Sequence, residues 1–341
     1  MFFRGVRDDN GRYSNWNVLG ENTVILAAGL SPAWQQILVF DHFTAGEVNR
    51  AAESHWYGSG KSLNVAVAAA SLGVANGGVS NDCVTVRLLS PIGGPARESI
   101  EDEFEERDIS ARWIGTKAPL RVCTTILDRG TGVTTELVAN APPMLEAELA
   151  EFAHEYAVHA AKASVVVMSG SLSAGAPLTF YRDLLVHTAC HAILDARGPE
   201  LLAALETKPL LVKPNREELA KTLQRDLPDE MSLLYAMHEL RERGAKWVVV
   251  TDGTLPVWVS GPEGNFRLSC PPVEKVVNPI GSGDCFAAGM AVAISQDRDI
   301  LSAIRYGLGA AADNVGQMLA GRIDPTRVAK LAESVRMETV V

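Results

Sequence analysis

A chain of 341 residues, 47% hydrophobic and 21% charged, is long and apolar enough for one large globular domain or a large domain with a small one. Its formal net charge of −10 argues against general binding to nucleic acid or to a membrane surface, while leaving room for an anion held by a local basic cluster. The five cysteines are scattered, odd in number and without C-x-x-C spacing, which favours reduced thiols in a cytoplasmic protein over a disulfide or zinc framework.

Residues 1–22 read as a polar extension with no apolar core of signal length. No charge-free apolar run reaches the ~18 residues of a transmembrane span. Thr23 to Gly29 predicts a buried first strand, and residues 33–57 are more mixed. Lys61 to Leu72, rich in Ala and closed by Gly73, predicts a helix. Val84 to Ser90 predicts a strand, Glu98 to Arg107 a charged helix, and Arg121 to Asp128 with Gly132 to Val138 a pair of strands.

From Leu145 the texture alternates. Helices are expected over Leu145–Ala161, Leu178–His191, Glu200–Leu205, Arg216–Thr222 and Asp229–Arg243. Strands fall between them at Ser164–Met168, Ala192–Asp195, Leu210–Val212 and Trp247–Thr251. Short apolar strands alternating with helices indicate an α/β fold, a parallel sheet covered on both faces. Leu255–Ser260 with Phe266–Ser269 suggests a hairpin, and Leu301–Leu319 and Pro325–Val335 read as closing helices. The β-like segments near 33–57 and 111–140 break this rhythm and are expected to pair into a small lid, the remainder of 23–341 forming the main body.

The stretch richest in chemistry is Asn278-Pro279-Ile280-Gly281-Ser282-Gly283-Asp284, between an extended run (Val273–Val277) and an apolar helical run (Phe286–Ser295). Glycines at a helix start let backbone N–H groups approach an anion, and the dipole favours a carboxylate in the first turn. Phosphoryl transfer to a hydroxyl needs those two things, donors around the transferred group and one base. A tight strand–helix turn with Asp284 as a helix-start residue is the plainer reading of the same residues.

This stretch resembles the N-x-x-G-[AG]-G-D-x-[FM]-x-[AG]-G signature of the PfkB-type sugar kinases in the ribokinase superfamily, with Ser282 where that family usually has Ala. The resemblance implies Asp284 as catalytic base and Gly281, Ser282 and Gly283 as an anion hole. Gly58-Ser59-Gly60-Lys61-Ser62 is not a P-loop, because His55 stands where the first glycine belongs. Ser59 to Ala66 instead resembles the family's G-G-K-G-x-N-V-A, preceded by Gly46-Glu47-Val48-Asn49-Arg50 as in the 1-phosphofructokinase and tagatose-6-phosphate kinase branch. Gly60, Lys61 and Asn64 are thereby implied at the sugar and Arg50 at its phosphate. Asn64 as a helix-start cap and Arg50 as a surface charge remain the alternatives.

Several positions depart from that pattern. Ser59 and Ser62 replace glycines, Gln35 replaces the Asp of N-P-A-x-D, and Cys123 replaces the Asn of T-R-x-N, whose Arg121 is kept as a second phosphate-gripping candidate. Ser171 lies in a run similar to S-G-S-L-P-P-G and is implied at the substrate. Lys213-Pro214-Asn215-Arg216-Glu217-Glu218-Leu219 is close to K-P-N-x-x-E-L. It implies Lys213 near nucleotide phosphates and Asn215 with Glu218 on a magnesium-bound water, with an Asn215–Glu218 capping box equally compatible. Thr251 and Gly253 match [ST]-x-G at the nucleotide, and Asn314 falls where the family lines its adenine pocket.

The resemblance runs from about Val24 to Val335 and implies a ribokinase-like α/β fold with a β lid. It also implies ATP with Mg²⁺, a sugar-phosphate substrate and a homodimer formed through the lid. The alternatives are a kinase of an unphosphorylated sugar or nucleoside, and a sugar-phosphate-binding protein without turnover.

Overall fold

The computed structural model describes residues 23–73 and 84–340; the polar extension expected over 1–22 lies outside them, as does Cys83. The first half contains β1 (Thr23–Ala28), β2 (Ala33–Phe40), β3 (Glu53–Ser59), α1 (Lys61–Gly73), β4 (Val84–Ile92), α2 (Arg97–Glu106), β5 (Ser110–Gly115), β6 (Arg121–Asp128) and β7 (Thr134–Val138). Then follow α3 (Glu146–Ala160), β8 (Val165–Ser169), α4 (Phe180–Leu185), β9 (His191–Asp195), α5 (Gly198–Ala204), β10 (Leu211–Val212), α6 (Arg216–Leu223), α7 (Glu230–Glu242) and β11 (Trp247–Val250). The chain closes with β12 (Val257–Gly261), β13 (Gly264–Leu268), α8 (Ser282–Ser295), α9 (Ile300–Val315), α10 (Pro325–Ser334) and β14 (Met337–Val340).

A ten-stranded sheet runs β14-β13-β12-β11-β10-β9-β8-β1-β4-β5, parallel from β11 to β5 and antiparallel from β11 to β14. Its middle strands are continuous apolar runs because both faces are covered. Ile25, Ala27, Val165, Val167 and Val249 face one core with α1, α2, α8, α9 and α10. Leu26, Ala28, Val166, Met168, Val248 and Val250 face the other with α3 to α7. Helix α8 is buried over almost its whole length, and α9 lies so close that a Cβ on Gly307 would meet the Phe286 ring at 2.4 Å. Every strand from β1 to β11 that feeds this parallel region ends at the same edge, where ligands of such sheets collect.

A second sheet of four strands, β3-β2-β6-β7, stands apart. Strands β2 and β6 are parallel, and the other two pairs are antiparallel. One face, with Ile37, Val39, Tyr57 and Leu127, packs against Ala320 of the main body.

The structure departs from the sequence expectations in several places. Residues 111–115, grouped with the lid, belong to β5, which extends the large sheet beside β4. The run Val273–Val277 is not a strand: Val277 N–H and Asn278 N–H donate to the Val315 carbonyl (2.8 and 3.1 Å), so the end of α9 takes the place of a strand partner. The helix expected over Leu178–His191 stops at Leu185, and His191 already opens β9. Helix α9 ends at Val315 rather than Leu319, and the chain turns back through Gly321. Among the described residues no helix is long and apolar enough to cross a membrane.

Candidate active site

Asp284 sits in the first turn of α8, on the turn made by Gly281 at φ +83°. A Cβ on Gly281 would stand 2.5 Å from the Ala320 methyl, so both conformation and space demand glycine there. Asn314 braces this turn from behind. Its Nδ2 donates to the Ile280 carbonyl (2.9 Å) and Ser282 Oγ (3.3 Å), while its Oδ1 accepts from Gly321 N–H (2.9 Å) and Cys285 Sγ (3.2 Å). Its four hydrogen bonds fill an amide's full capacity, and the residue is buried, so it supports the turn and offers nothing to an adenine ring. That corrects the expectation for Asn314. Asn278 closes the other side, accepting from Ile280 N–H (3.0 Å) and donating to the Met318 carbonyl (2.9 Å).

Within the turn, the N–H groups of Ser282, Asp284 and Cys285 are taken up by Pro279 and Gly281 carbonyls. The N–H groups of Gly281 and Gly283 donate to no protein acceptor among the described residues. The Lys213 ammonium lies 3.4 Å from where a Cβ of Gly283 would stand. Two unspent amides and one ammonium at a helix N-terminus form a site for an anion.

The Asp284 carboxyl is buried, and Asn64 Nδ2 donates to its Oδ2 at 2.7 Å. Burial pushes its pKa up to about 6, and the negative charge of Asp195 adds to this; Lys61, the Asn64 amide and Lys213 pull it back. It therefore remains a carboxylate at neutral pH, yet takes a proton more readily than an ordinary aspartate.

Lys61, the first residue of α1, reaches Asp195 Oδ1 (2.9 Å) and stands 3.8 Å from Glu218 Oε1. Burial alone would lower its pKa, but the carboxylates of Asp195, Glu218 and Asp284 outweigh it and hold the ammonium charged. Lys213 Nζ lies 3.2 Å from Asp195 Oδ2, off the line of a good hydrogen bond, so the contact is a charge pair. Burial would raise the Asp195 pKa, and the two lysines reverse this and hold it low. Asp195 thus fixes both ammonium groups beside Asp284. It escaped the sequence reading, although a lone acidic residue closing the apolar run AILD at the end of a parallel strand was a usable signal.

Asn215 and Glu218 form the reciprocal cap of α6: Asn215 Oδ1 accepts from Glu218 N–H (2.7 Å), and Glu218 Oε2 accepts from Asn215 N–H (3.0 Å). Glu218 Oε1 keeps only the longer Lys61 contact. A hard oxygen left as acceptor suits a magnesium-bound water, and among the described residues no group of three or more His, Cys, Asp or Glu side chains can hold a metal ion directly. Thr251 pairs with Asn215 through an isolated parallel bridge. Gly253, at φ +58°, has open space where a side chain would be.

The residues expected at the sugar divide. Gly60, at φ +103°, lies against Pro32, and its carbonyl accepts from Asn64 N–H (2.9 Å). Asn64 meets Asp284 directly. Gln35 is buried on the inner face of the second sheet, its amide nitrogen donating to Thr125 Oγ1 (2.9 Å) and the Gln36 carbonyl (3.2 Å). Ser171 is half-buried after Gly170, whose carbonyl accepts from Tyr181 Oη (3.0 Å).

The two arginines differ, Arg121 being tied to backbone carbonyls and Arg50 not. Arg121 donates to the carbonyls of Ser31 (2.9 Å), Pro32 (3.3 Å) and Ala139 (3.1 Å), tying β6 to the loop after β1. Arg50 lies exposed on the loop between β2 and β3, without an ion pair or side-chain hydrogen bond among the described residues.

Comparison with known proteins gives a consistent result. Residues 34–327 match the family model described as pfkB family carbohydrate kinase. Phosphofructokinase-2 from Escherichia coli, solved with fructose-6-phosphate, is similar at 21% identity and a TM-score of 0.77, over 92% of this chain and 98% of that one. A possible 1-phosphofructokinase from Thermotoga maritima is similar at 20% identity and 0.82, over 93% and 100%. Ribokinase from the same organism is similar at 20% identity and 0.71, over 92% and 100%. The fold is ribokinase-like α/β.

Proposed function

The chain belongs to the pfkB family of carbohydrate kinases, phosphotransferases that act on a sugar hydroxyl, and from that premise we propose that it transfers the γ-phosphoryl group of ATP to a hydroxyl of a hexose phosphate. The observation that carries this reading is Asp284, a buried carboxylate beside the free amides of Gly281 and Gly283 and the Lys213 ammonium. Asp284 takes the proton of the attacking hydroxyl, its Oδ2 fixed by Asn64 so that Oδ1 faces the acceptor. The two amides and Lys213 receive the charge that develops on the transferred group. Lys213, Asn215, Thr251 and Gly253 would border the nucleotide, and Glu218 would hold the magnesium ion through a water. When bound, that ion supplies positive charge across the nucleotide's phosphates.

The acceptor is proposed from the two solved phosphofructokinases and from the Gly46–Arg50 run. One observation favours a second reading: Arg121 spends three donors on backbone carbonyls, leaving less for a substrate phosphate. A neutral sugar, as the name of the similar ribokinase suggests, is the competing acceptor. Magnesium-dependent ADP release across fructose 1-phosphate, fructose 6-phosphate, tagatose 6-phosphate, ribose and adenosine decides between them. Turnover on one hexose phosphate alone is expected; turnover on ribose or adenosine alone overturns the phosphate assignment.

We further propose that the second sheet is a lid and that two copies of the chain pair through its outer face. Strand alternation places Trp34, Trp56, Val122 and Leu137 on that face, away from Gln35. Trp34 and Trp56 stack at 5.7 Å, and Trp56, Val122 and Leu137 are 45%, 46% and 55% exposed. Apolar residues so grouped lose area to water until another surface covers them. Trp56→Glu should convert a dimer to a monomer in sedimentation equilibrium; a monomeric wild type would end the proposal.

A further inference from the structure

Ser59 ends β3, and its side chain is 3% exposed. Its Oγ donates to Asn64 Oδ1 at 3.1 Å, and Asn64 Nδ2 donates in turn to Asp284 Oδ2 at 2.7 Å. An amide has one accepting and one donating end of nearly equal shape, so its orientation follows from its partners. A hydroxyl can serve either end. What fixes the direction here is the Asp284 carboxylate, which only accepts, so Asn64 turns its NH₂ to Asp284 and its oxygen to Ser59.

The Tyr57 hydroxyl, two residues earlier on the same strand face, is buried and has no hydrogen-bond partner among the described residues. Ser59 keeps its own hydrogen for Asn64 Oδ1, and the chain of donors runs from Ser59 through Asn64 to Asp284.

We infer that Ser59 is a positioning residue for Asp284, its hydroxyl holding the Asn64 amide with the NH₂ end on the carboxylate. The inference rests on Asp284 acting as the base. A glycine at position 59, as in the motif this stretch resembles, has no hydroxyl to do this. The remaining charged or titratable groups around Asp284 are Lys61 on α1, Lys213 after β10, Asp195 at the end of β9, Tyr57 on β3 and Cys285 on α8 itself. None of them contacts the Asn64 oxygen, so loss of Ser59 Oγ is not made good by a neighbour.

Without Ser59 Oγ, Asn64 Oδ1 loses its donor, the Nδ2–H that this bond polarises donates less strongly to Asp284, and the carboxylate loses part of the stabilisation that holds its pKa down. The test is the pH profile of kcat/KM for Ser59→Ala, with Ser59→Thr as a second variant and thermal unfolding to monitor the fold. Ser59→Ala should move the acid limb toward alkaline pH by about 0.5–1 unit and leave the high-pH plateau and the KM for ATP in place. Ser59→Thr, which keeps a hydroxyl, should restore the wild-type limb, and Ser59→Gly, which also lacks the hydroxyl, decides if the alanine variant does not fold. An acid limb superimposed on wild type, or a loss of kcat equal at every pH, overturns the inference. Asp284→Asn separates the two ideas: if that variant keeps turning over, the base assignment has failed. If it is dead while the Ser59→Ala limb stays put, only the role of Ser59 has failed.

Discussion

Asp284→Asn should lower kcat by about 10²–10⁴-fold, the range a positioned general base contributes, with ATP affinity unchanged. The amide fills the same space and still meets Asn64, so the fold and the turn at Gly281 are left alone. What it removes is the one oxygen able to take a proton beside the free amides of Gly281 and Gly283. The wild-type pH profile carries the same information. Asp284 works as the carboxylate and is pushed up to about 6, so kcat/KM should fall about tenfold per unit as pH drops below that value. Isothermal calorimetry of ATP beside steady-state kinetics checks both parts. Turnover retained by the asparagine variant would remove Asp284 from the mechanism.

Asp195→Ala should destabilise the protein by about 3–5 kcal/mol, the cost of breaking a buried ion pair from one side. Lys213 is nearly as buried as Asp195, and Lys61 approaches the same carboxylate, so the variant leaves two ammonium groups facing one another. The sign with pH follows from the depressed Asp195 pKa. Its contribution is fully present above the unfolded carboxyl value, about 3.9, and is lost only as pH falls through the lower folded value. Urea unfolding at pH 7, well above that value, should therefore show the gap in full. A gap under about 1 kcal/mol, the range of an exposed pair, would mean the cluster is solvated and not a buried anchor.

The parallel sheet was legible because its strands are unbroken apolar runs. VVVM in β8 and WVVV in β11 have no polar face to confuse them with amphipathic helices. Strand β14 was not legible. Its METV is mostly exposed and owes its conformation to pairing with β13, a partner about seventy residues earlier in the chain. Val273–Val277 has strand composition but hydrogen-bonds to the end of α9, and composition carries no sign of that substitution.

The site divides in the same way. Asp284, Gly281, Lys213, Asn215 and Glu218 were visible because they lie at element ends in short ordered motifs. The use of each side chain was less so. Arg121 looks like a phosphate ligand in sequence, yet three nearby carbonyls claim it, and Asn314 spends every hydrogen bond behind the Gly281 turn. Asp195 acts through partners far from it in sequence and is marked only by its place at the end of the apolar run AILD; Ser59 acts across a strand–helix junction, and no local pattern marks it.

The measurement that bears most directly on the account is phosphorus NMR of the reaction of ATP with each sugar phosphate and, separately, with ribose, run on the wild-type protein and on Asp284→Asn. The account predicts a sugar carrying two phosphoester signals, formed with ADP by the wild type and absent with the variant. A product phosphorylated only from a neutral sugar would contradict the acceptor assigned here, and a bisphosphate still formed by Asp284→Asn would contradict the mechanism.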